Sequence, residues 1–360
     1  MRLLLLFALL AACGTPRSET DDDAGIDDGD DAFVSTDDAY APGVDAYQPP
    51  DDAYAAPLDA ATVPTTGMRV IVEPSDDGDA MVAAINAATT SVHMTMYLLS
   101  SHDVINALLA RHAAGVDVRV LLNQTFPDTS TSNMDVYTQL SAAGIPTHWT
   151  PSSFALTHEK CIIIDAHEAW IMTMNTTVTS PTANREFLII DDIASDAADA
   201  ERVFESDFAG TPLASYDGPL VLAPLNATDE IYALIASAQH TIDVEDEELS
   251  DRDTITALVN AAGRGVTVRV ILSDISRTAA GETAVTNLQA AHIPVHVLSN
   301  PYVHAKAIVV DGTSAYVGSE NLTYASLTMN RELGVITAVP SVVSTVASTL
   351  ASDFAAGTAL

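Results

Sequence analysis

The sequence predicts an α/β protein built from two copies of one sandwich unit, on three observations. From Met68 onward, runs of β-branched residues alternate with helical stretches of ten to fifteen residues. The same order of elements occurs twice. A set of polar motifs late in each copy recurs at one fixed spacing, 146 residues.

The first copy, residues 68–216, opens with Val70-Ile71-Val72-Glu73-Pro74. A helical stretch from Asp79 to Ala88 and the strand Ser91-Val92-His93-Met94-Thr95-Met96-Tyr97 follow. The second copy, residues 217–360, opens with Pro219-Leu220-Val221-Leu222-Ala223-Pro224, a helical stretch from Thr228 to Ala238 and Thr241-Ile242-Asp243-Val244-Glu245. Each continues into an amphipathic helix, in which Val104, Ile105, Leu108 and Leu109 match Thr254, Ile255, Leu258 and Val259. Gly115 and Gly265 end these helices, and the strand-like runs from Val116 to Val120 and from Val266 to Val270 come next. A third helix and strand close at Gly144-Ile145-Pro146 and His292-Ile293-Pro294. The alternation implies a largely parallel sheet in each copy. The helices' apolar stripes are core, and His112 on one of them reads as a helix-face histidine.

Ahead of the repeats stand two segments of different character. Met1-Arg2 and the apolar run Leu3 to Ala12 have the form of a secretory signal, too short to span a bilayer. Leu10-Ala11-Ala12-Cys13 resembles a bacterial lipobox, so residues 1–13 are read as a lipoprotein signal with Cys13 as the lipidated residue. Gly14 rather than an aspartate follows it, which by resemblance to enteric lipoproteins implies the outer membrane of the cell envelope. Residues 14–67 carry aspartate runs, prolines and three Asp-Ala-Tyr triplets at Asp38, Asp45 and Asp52. With no apolar stripe this heptad spacing is no coiled coil; it reads as a disordered, self-repelling acidic tether. The aspartates lack the spacing of a calcium loop. Cys161 is the one other cysteine, so lipidation of Cys13 leaves no intramolecular disulfide.

The chain has 49 acids against 14 bases, and 35 against 12 remain after residue 67. Such a surface disfavours nonspecific nucleic-acid binding, which draws on lysine and arginine, and long-range attraction to anionic lipid.

Only two lysines occur, and each stands two places after a histidine: His158-Glu159-Lys160 through Asp165, and His304-Ala305-Lys306 through Asp311. In a strand, residues i and i+2 share a face, so each histidine projects with its lysine. Ile162 and Ile164 continue that face into the core, and Cys161 points to the other side as a small buried residue. Two imidazoles with two ammonium groups suit phosphodiester cleavage. One attacks phosphorus, the other moves the proton, and the lysines offset charge on the oxygens. Met172-Thr173-Met174-Asn175 and Gly318-Ser319-Glu320-Asn321 follow the motifs, then Asn184-Arg185-Glu186 and Asn330-Arg331-Glu332.

These paired motifs resemble the phospholipase D superfamily across residues 68 to about 358. The resemblance implies two α/β/α sandwich halves about a pseudo-twofold axis, one active site at their junction, a phosphohistidine intermediate, and no metal or other cofactor. It makes His158 and His304 the nucleophile and the general acid/base, and Lys160, Lys306, Asn175 and Asn321 the phosphate ligands, with Ser319 and Thr173 assisting. It makes Glu186 and Glu332 the residues that orient the histidines. Asp165 and Asp311 complete the catalytic motifs, structural more than chemical. The family's habit favours His158 as nucleophile, but the two copies are too alike for the sequence to decide. Met172-Thr173 replaces Gly-Ser in the first copy, which is expected to put a bulky side chain beside the substrate and make the pocket asymmetric.

The motif set fixes a reaction and not a substrate. The expected function is hydrolysis of phospholipids to phosphatidic acid and head group, by a membrane-tethered monomer with an internal pseudo-dimer. The alternatives are an exported nuclease of the same superfamily and a noncatalytic phosphate-binding surface protein. Loops 124–133, 150–157, 246–251 and 273–280 are expected to shape the pocket. The run Glu245-Asp246-Glu247-Glu248 either attracts cationic head groups or is a solvated charge run.

Overall fold

The computed structural model describes residues 67–127, 131–273 and 278–360. The Cys13 lipobox and nearly all of the acidic tether lie outside the described residues, as do parts of two of the four expected pocket loops. No helix among the described residues is long and apolar enough to cross a membrane.

The first half runs β1 (Met68–Glu73), α1 (Asp79–Ala87), β2 (Ser91–Met96), α2 (His102–Ala113), β3 (Asp117–Leu122), α3 (Met134–Ala142) and β4 (Thr147–Trp149). It closes with β5 (Lys160–Ile164), β6 (Glu168–Met172), α4 (Ser180–Ala183), β7 (Asn184–Asp191) and α5 (Ala194–Phe208). The second half repeats this as β8 (Val221–Ala223), α6 (Ala227–Ser237), β9 (Thr241–Asp246), α7 (Arg252–Gly263), β10 (Thr267–Leu272), α8 (Ala279–Ala290) and β11 (Val295–Val297). A short β12 (Tyr302–Val303) then precedes β13 (Lys306–Val310), β14 (Ser314–Gly318), α9 (Tyr324–Thr328), β15 (Glu332–Thr337), α10 (Pro340–Ala356) and β16 (Thr358–Ala359).

Local chemistry explains the matching boundaries. Ser101 and Asp251 cap α2 and α7 by accepting from Val104 N and Thr254 N, satisfying donors that a helix start leaves open. Gly115 and Gly265 take φ of 89° and 94°, the left-handed stop that frees the chain to enter β3 and β10.

Two eight-stranded sheets result, ordered β1-β7-β6-β5-β2-β3-β4, with β12 added on β7, and β16-β11-β10-β9-β13-β14-β15-β8. The α/β sandwich halves are as the sequence implies, but the largely parallel sheet is not. Only β2-β3-β4 and β9-β10-β11 pair in parallel within each half. β5, β6, β7 and β1 pair antiparallel, as do β13, β14, β15 and β8. A parallel pair needs a helical crossover, and only the earlier strands have one; β5 and β6 are joined by a tight turn at Asp165-Ala166.

Three cores result. An outer one in each half holds the apolar faces of α1–α3 or α6–α8. The third lies between the sheets, where Ile163, Ile171 and Phe187 of the first half meet Val309, Val317 and Leu333 of the second. Helices α5 and α10 contribute Phe204 and Val346 to this shared layer. Cys161 is buried there, while Ile162 and Ile164 face the outer core, so the alternation read from the sequence holds.

Candidate active site

Each motif enters its sheet through the other half. Before β5, Thr157 bridges Arg331 in parallel, and His158 N and Glu159 N both donate to Arg331 O, at 2.9 and 3.0 Å. Before β13, Val303 pairs with Arg185 in parallel, and His304 N donates to Arg185 O at 3.3 Å. The two contacts interchange when the halves are exchanged, as a pseudo-twofold axis requires.

The carboxylates cross in the same way. His158 Nδ1 lies 2.9 Å from Glu332 Oε2, and His304 Nδ1 lies 2.7 Å from Glu186 Oε1. The second contact is an ion-pair approach, off the line of a well-aligned hydrogen bond. The carbonyl of Ser319 also lies 3.1 Å from His158 Nδ1. All four side chains are buried. Thus the first half's histidine leans on the second half's glutamate, and the reverse.

A matching relay holds each glutamate. Ser319 Oγ donates to Glu332 Oε2 at 2.7 Å and accepts from Leu333 N at 3.0 Å. Thr173 Oγ1 donates to Glu186 Oε2 and accepts from Phe187 N at 2.9 Å. Asn330 and Asn184 donate to the remaining oxygens at 3.2 and 3.3 Å. The hydroxyls of Thr173 and Ser319 therefore face the orienting carboxylates. Threonine keeps the donor that serine supplies.

Each histidine and its lysine share a neighbour, so the i, i+2 pairing is real. Lys160 Nζ donates to His158 O at 2.8 Å and sits 5.0 Å over the Tyr97 ring, which also meets the His158 ring edge-on at 4.8 Å. Lys306 Nζ donates to His304 O at 2.8 Å and to Glu247 Oε2 at 2.9 Å. Asn175 and Asn321 are fully buried. Neither Nδ2 nor Oδ1 of Asn321 has a hydrogen-bond partner among the described residues, leaving a buried amide able to meet phosphate oxygens.

Asp165 and Asp311 do not join the histidines. They stand at the far end of β5 and β13, roughly 16 Å from the lysines at the rise of a strand. Asp165 accepts from the backbone N–H of Thr89, Thr90 and Ser91, and Asp311 from those of Gln239, His240 and Thr241. Partial burial would raise the Asp165 carboxyl, but these donors outweigh it and hold the group below its ordinary range. Both aspartates pin the hairpin end to the turn before β2 or β9.

Two other sequence expectations change. Met172 does not crowd the substrate; it is buried in the outer core with Trp170, Met174 and Leu188. At Gly318 a Cβ would come within 2.6 Å of Gly334 Cα, and the two glycines make room for Tyr316 and Glu320. The asymmetry lies beneath the site. Nor is the run from Glu245 to Glu248 a solvated loop: Glu245 and Asp246 end β9 in mid-sheet, and Glu245, Asp246 and Glu247 are all buried.

Sequence reasoning gave Asn184, Arg185, Asn330 and Arg331 no role. Each arginine forms a two-point ion pair with the last turn of a central helix: Arg331 with Asp207, at 2.8 and 3.2 Å, and Arg185 with Asp353, at 2.6 and 3.1 Å. Asp207 and Asp353 also stand 146 residues apart, a signal present in the sequence. Tyr97 has no role in the sequence reading, and Glu247 enters it only as part of the run from Glu245 to Glu248, not as a partner of the second motif.

The family described as cardiolipin synthase, PLD-like domain, matches residues 81–208 and again 231–355, one match per half. The chain belongs to the phospholipase D superfamily. Phospholipase D Z of Dictyostelium discoideum is 38% identical over 90 residues, 23% of this chain and 21% of that protein. A cardiolipin synthase of Listeria monocytogenes is 23% identical over 310 residues, 74% of this chain and 64% of that protein. The chain thus spans less than two thirds of either relative. Phosphatidylserine synthase of Haemophilus influenzae Rd KW20 shares the fold, with a TM-score of 0.65 at 12% identity, over 83% of this chain and 88% of that one. Membership in the phospholipase D superfamily supports phosphodiesterase-type chemistry.

Proposed function

We propose that this protein is a phospholipase D-type phosphodiesterase that releases the head group of a phospholipid and leaves phosphatidic acid. The observation that carries the reading is the crossed pair: two imidazoles, each backed by a carboxylate of the opposite half, with a lysine beside each. One imidazole nitrogen attacks phosphorus while the other imidazole gives its proton to the departing alkoxide. The products are an alcohol and a phosphohistidine. Water then attacks the same phosphorus, its proton returns to the second imidazole, and the N–P bond breaks to free the phosphomonoester. Lys160, Lys306, Asn175 and Asn321 hold the non-bridging oxygens, with Ser319 and Thr173 fixing the glutamates that aim the rings. An acceptor alcohol in place of water would make the same intermediate a transfer reaction, the type that the name of the cardiolipin synthase relative implies.

Lipid is favoured over polynucleotide by the acidic body, 35 acids against 12 bases after residue 67. It is also favoured by the apolar cluster of Tyr97, Leu98, Leu156 and Phe126 beside His158. We place the enzyme on the cell envelope, tethered through Cys13.

Purified protein in EDTA should release head group from phosphatidylcholine or phosphatidylglycerol vesicles. His158→Asn and His304→Asn should each lower the rate by about 10²–10⁴-fold. Plasmid cleavage without lipid turnover would show a nuclease instead, and loss of turnover on chelation would refute the metal-independent route.

A further inference from the structure

The two halves of the site match except in what lies against each histidine–lysine pair. Met96 pairs with Lys160 across β2 and β5, and Asp246 pairs with Lys306 across β9 and β13. The next residue is Tyr97 in one half and Glu247 in the other. Both backbones are fixed alike, since Asn133 Nδ2 donates to Tyr97 O at 2.7 Å and Ser273 Oγ to Glu247 O at 2.7 Å. The side chains differ in charge. Glu247 Oε2 lies 2.9 Å from Lys306 Nζ and 3.5 Å from His304 Nε2, and its Oε1 accepts from Tyr302 Oη at 3.0 Å. Tyr97 offers His158 the edge of a neutral ring.

We propose that Glu247 is a positioning residue that holds a proton on His304 Nε2, so that His304 serves as the acid and attack falls to His158. His304 is faced by Glu186 from β7 at Nδ1, by Glu247 from the end of β9 at Nε2, and by the Lys306 ammonium from β13. Tyr302 of β12 donates to the other oxygen of Glu247. The carboxylates at both ring nitrogens favour the imidazolium, because opposite charges within about 4–6 Å stabilise the charged form. A ring whose reactive nitrogen carries a proton under a carboxylate cannot attack phosphorus. At His158 the corresponding neighbour is Tyr97, an uncharged aromatic ring where the other half has a carboxylate. Glu247 thereby breaks the tie that the repeated motifs leave open.

The inference rests on the phosphodiesterase reading for its kinetics but not for its spectroscopy. Glu247→Gln keeps the side chain's shape and removes the charge. In the full protein at neutral pH, NMR of ¹⁵N-labelled histidine should show both His304 ring nitrogens protonated, and the variant should lose the Nε2 proton. In kinetics, a p-nitrophenyl phosphodiester needs little help from an acid, whereas an alkyl ester needs much. The ratio of their rates should therefore rise about 10²-fold in Glu247→Gln, the usual share of a general acid. Intact protein mass spectrometry of His304→Asn with the p-nitrophenyl ester should show a phosphoryl adduct, mapped to His158. An unchanged rate ratio, a His304 ring still doubly protonated in the variant, or an adduct on His304 in the wild type would overturn the assignment. The expected NMR result with no cleavage of either ester would uphold Glu247's hold on the proton and reject the phosphodiesterase reading.

Discussion

The turn between β5 and β6 shows how much one side chain can cost. His167 N donates to Ile164 O at 3.0 Å, and the central residues Asp165 and Ala166 take φ of 55° and 53°. This is the hairpin turn that demands two left-handed residues. Its counterpart has Asp311 at φ 52° and Gly312 at 63°, where glycine accepts the geometry without a Cβ penalty. Alanine at 166 bears that penalty, about 1–2 kcal/mol, offset in part by glycine's greater freedom in the unfolded chain. Ala166→Gly should therefore stabilise the fold by about 0.5–1 kcal/mol, read as a raised denaturant midpoint at constant slope; a lowered midpoint would contradict the strain. The histidines, lysines, asparagines and glutamates of the site were all legible as residue types at a fixed spacing. Which glutamate serves which histidine was not, because the repeat is silent about contacts between its own copies.

At the level of elements, the junction is the two Asn-Arg-Glu segments, which open β7 and lead into β15. Each segment presents a backbone to the opposite motif, a glutamate to the opposite histidine and an arginine to a central helix. The Arg331 guanidinium is fully buried, donates to Ala223 O at 2.9 Å, and stacks 4.2 Å from the Phe154 ring. Removing one partner of such a pair strands the other charge out of water. Asp207→Ala should cost about 3–5 kcal/mol of stability in chemical unfolding. An Arg331→Met/Asp207→Leu double variant should recover part of it, whereas equal losses in single and double variants would mean the ion pair is not the source. The helices and the early strands were readable from periodicity, caps and glycine stops. The direction of β5, β6 and β7 was not, since an apolar run records burial and not polarity of pairing; only the short turn at Asp165 hinted at it.

The molecule as a whole is an acidic body that keeps several of its acids protonated. Burial, then neighbouring Asp207 and Glu332, pushes Glu159 up to about 8 against the pull of Arg331. Burial and Glu332 push Glu320 up to about 8, and burial with Asp196 raises Asp191 to about 7. These groups bind protons when folded that they release when unfolded, so stability falls as pH rises from about 4.5, their unfolded range, through 8. Self-repulsion of the acidic surface acts in the same direction. Melting temperature should drop between pH 5.5 and 8, and Glu320→Gln should flatten the slope. A profile rising across that window would show those carboxyls ionised in the fold.

The crossed glutamates carry one more consequence. A single copy of this unit lacks the carboxylate its own histidine needs, so it could function only beside a twin. Two identical twins must change together, since every substitution appears on both sides of their axis. Tying the copies into one chain fixes the partnership at an effective concentration no free pair would match. It also releases them from sameness, and a tyrosine at 97 where the other copy has a glutamate at 247 is what that liberty looks like.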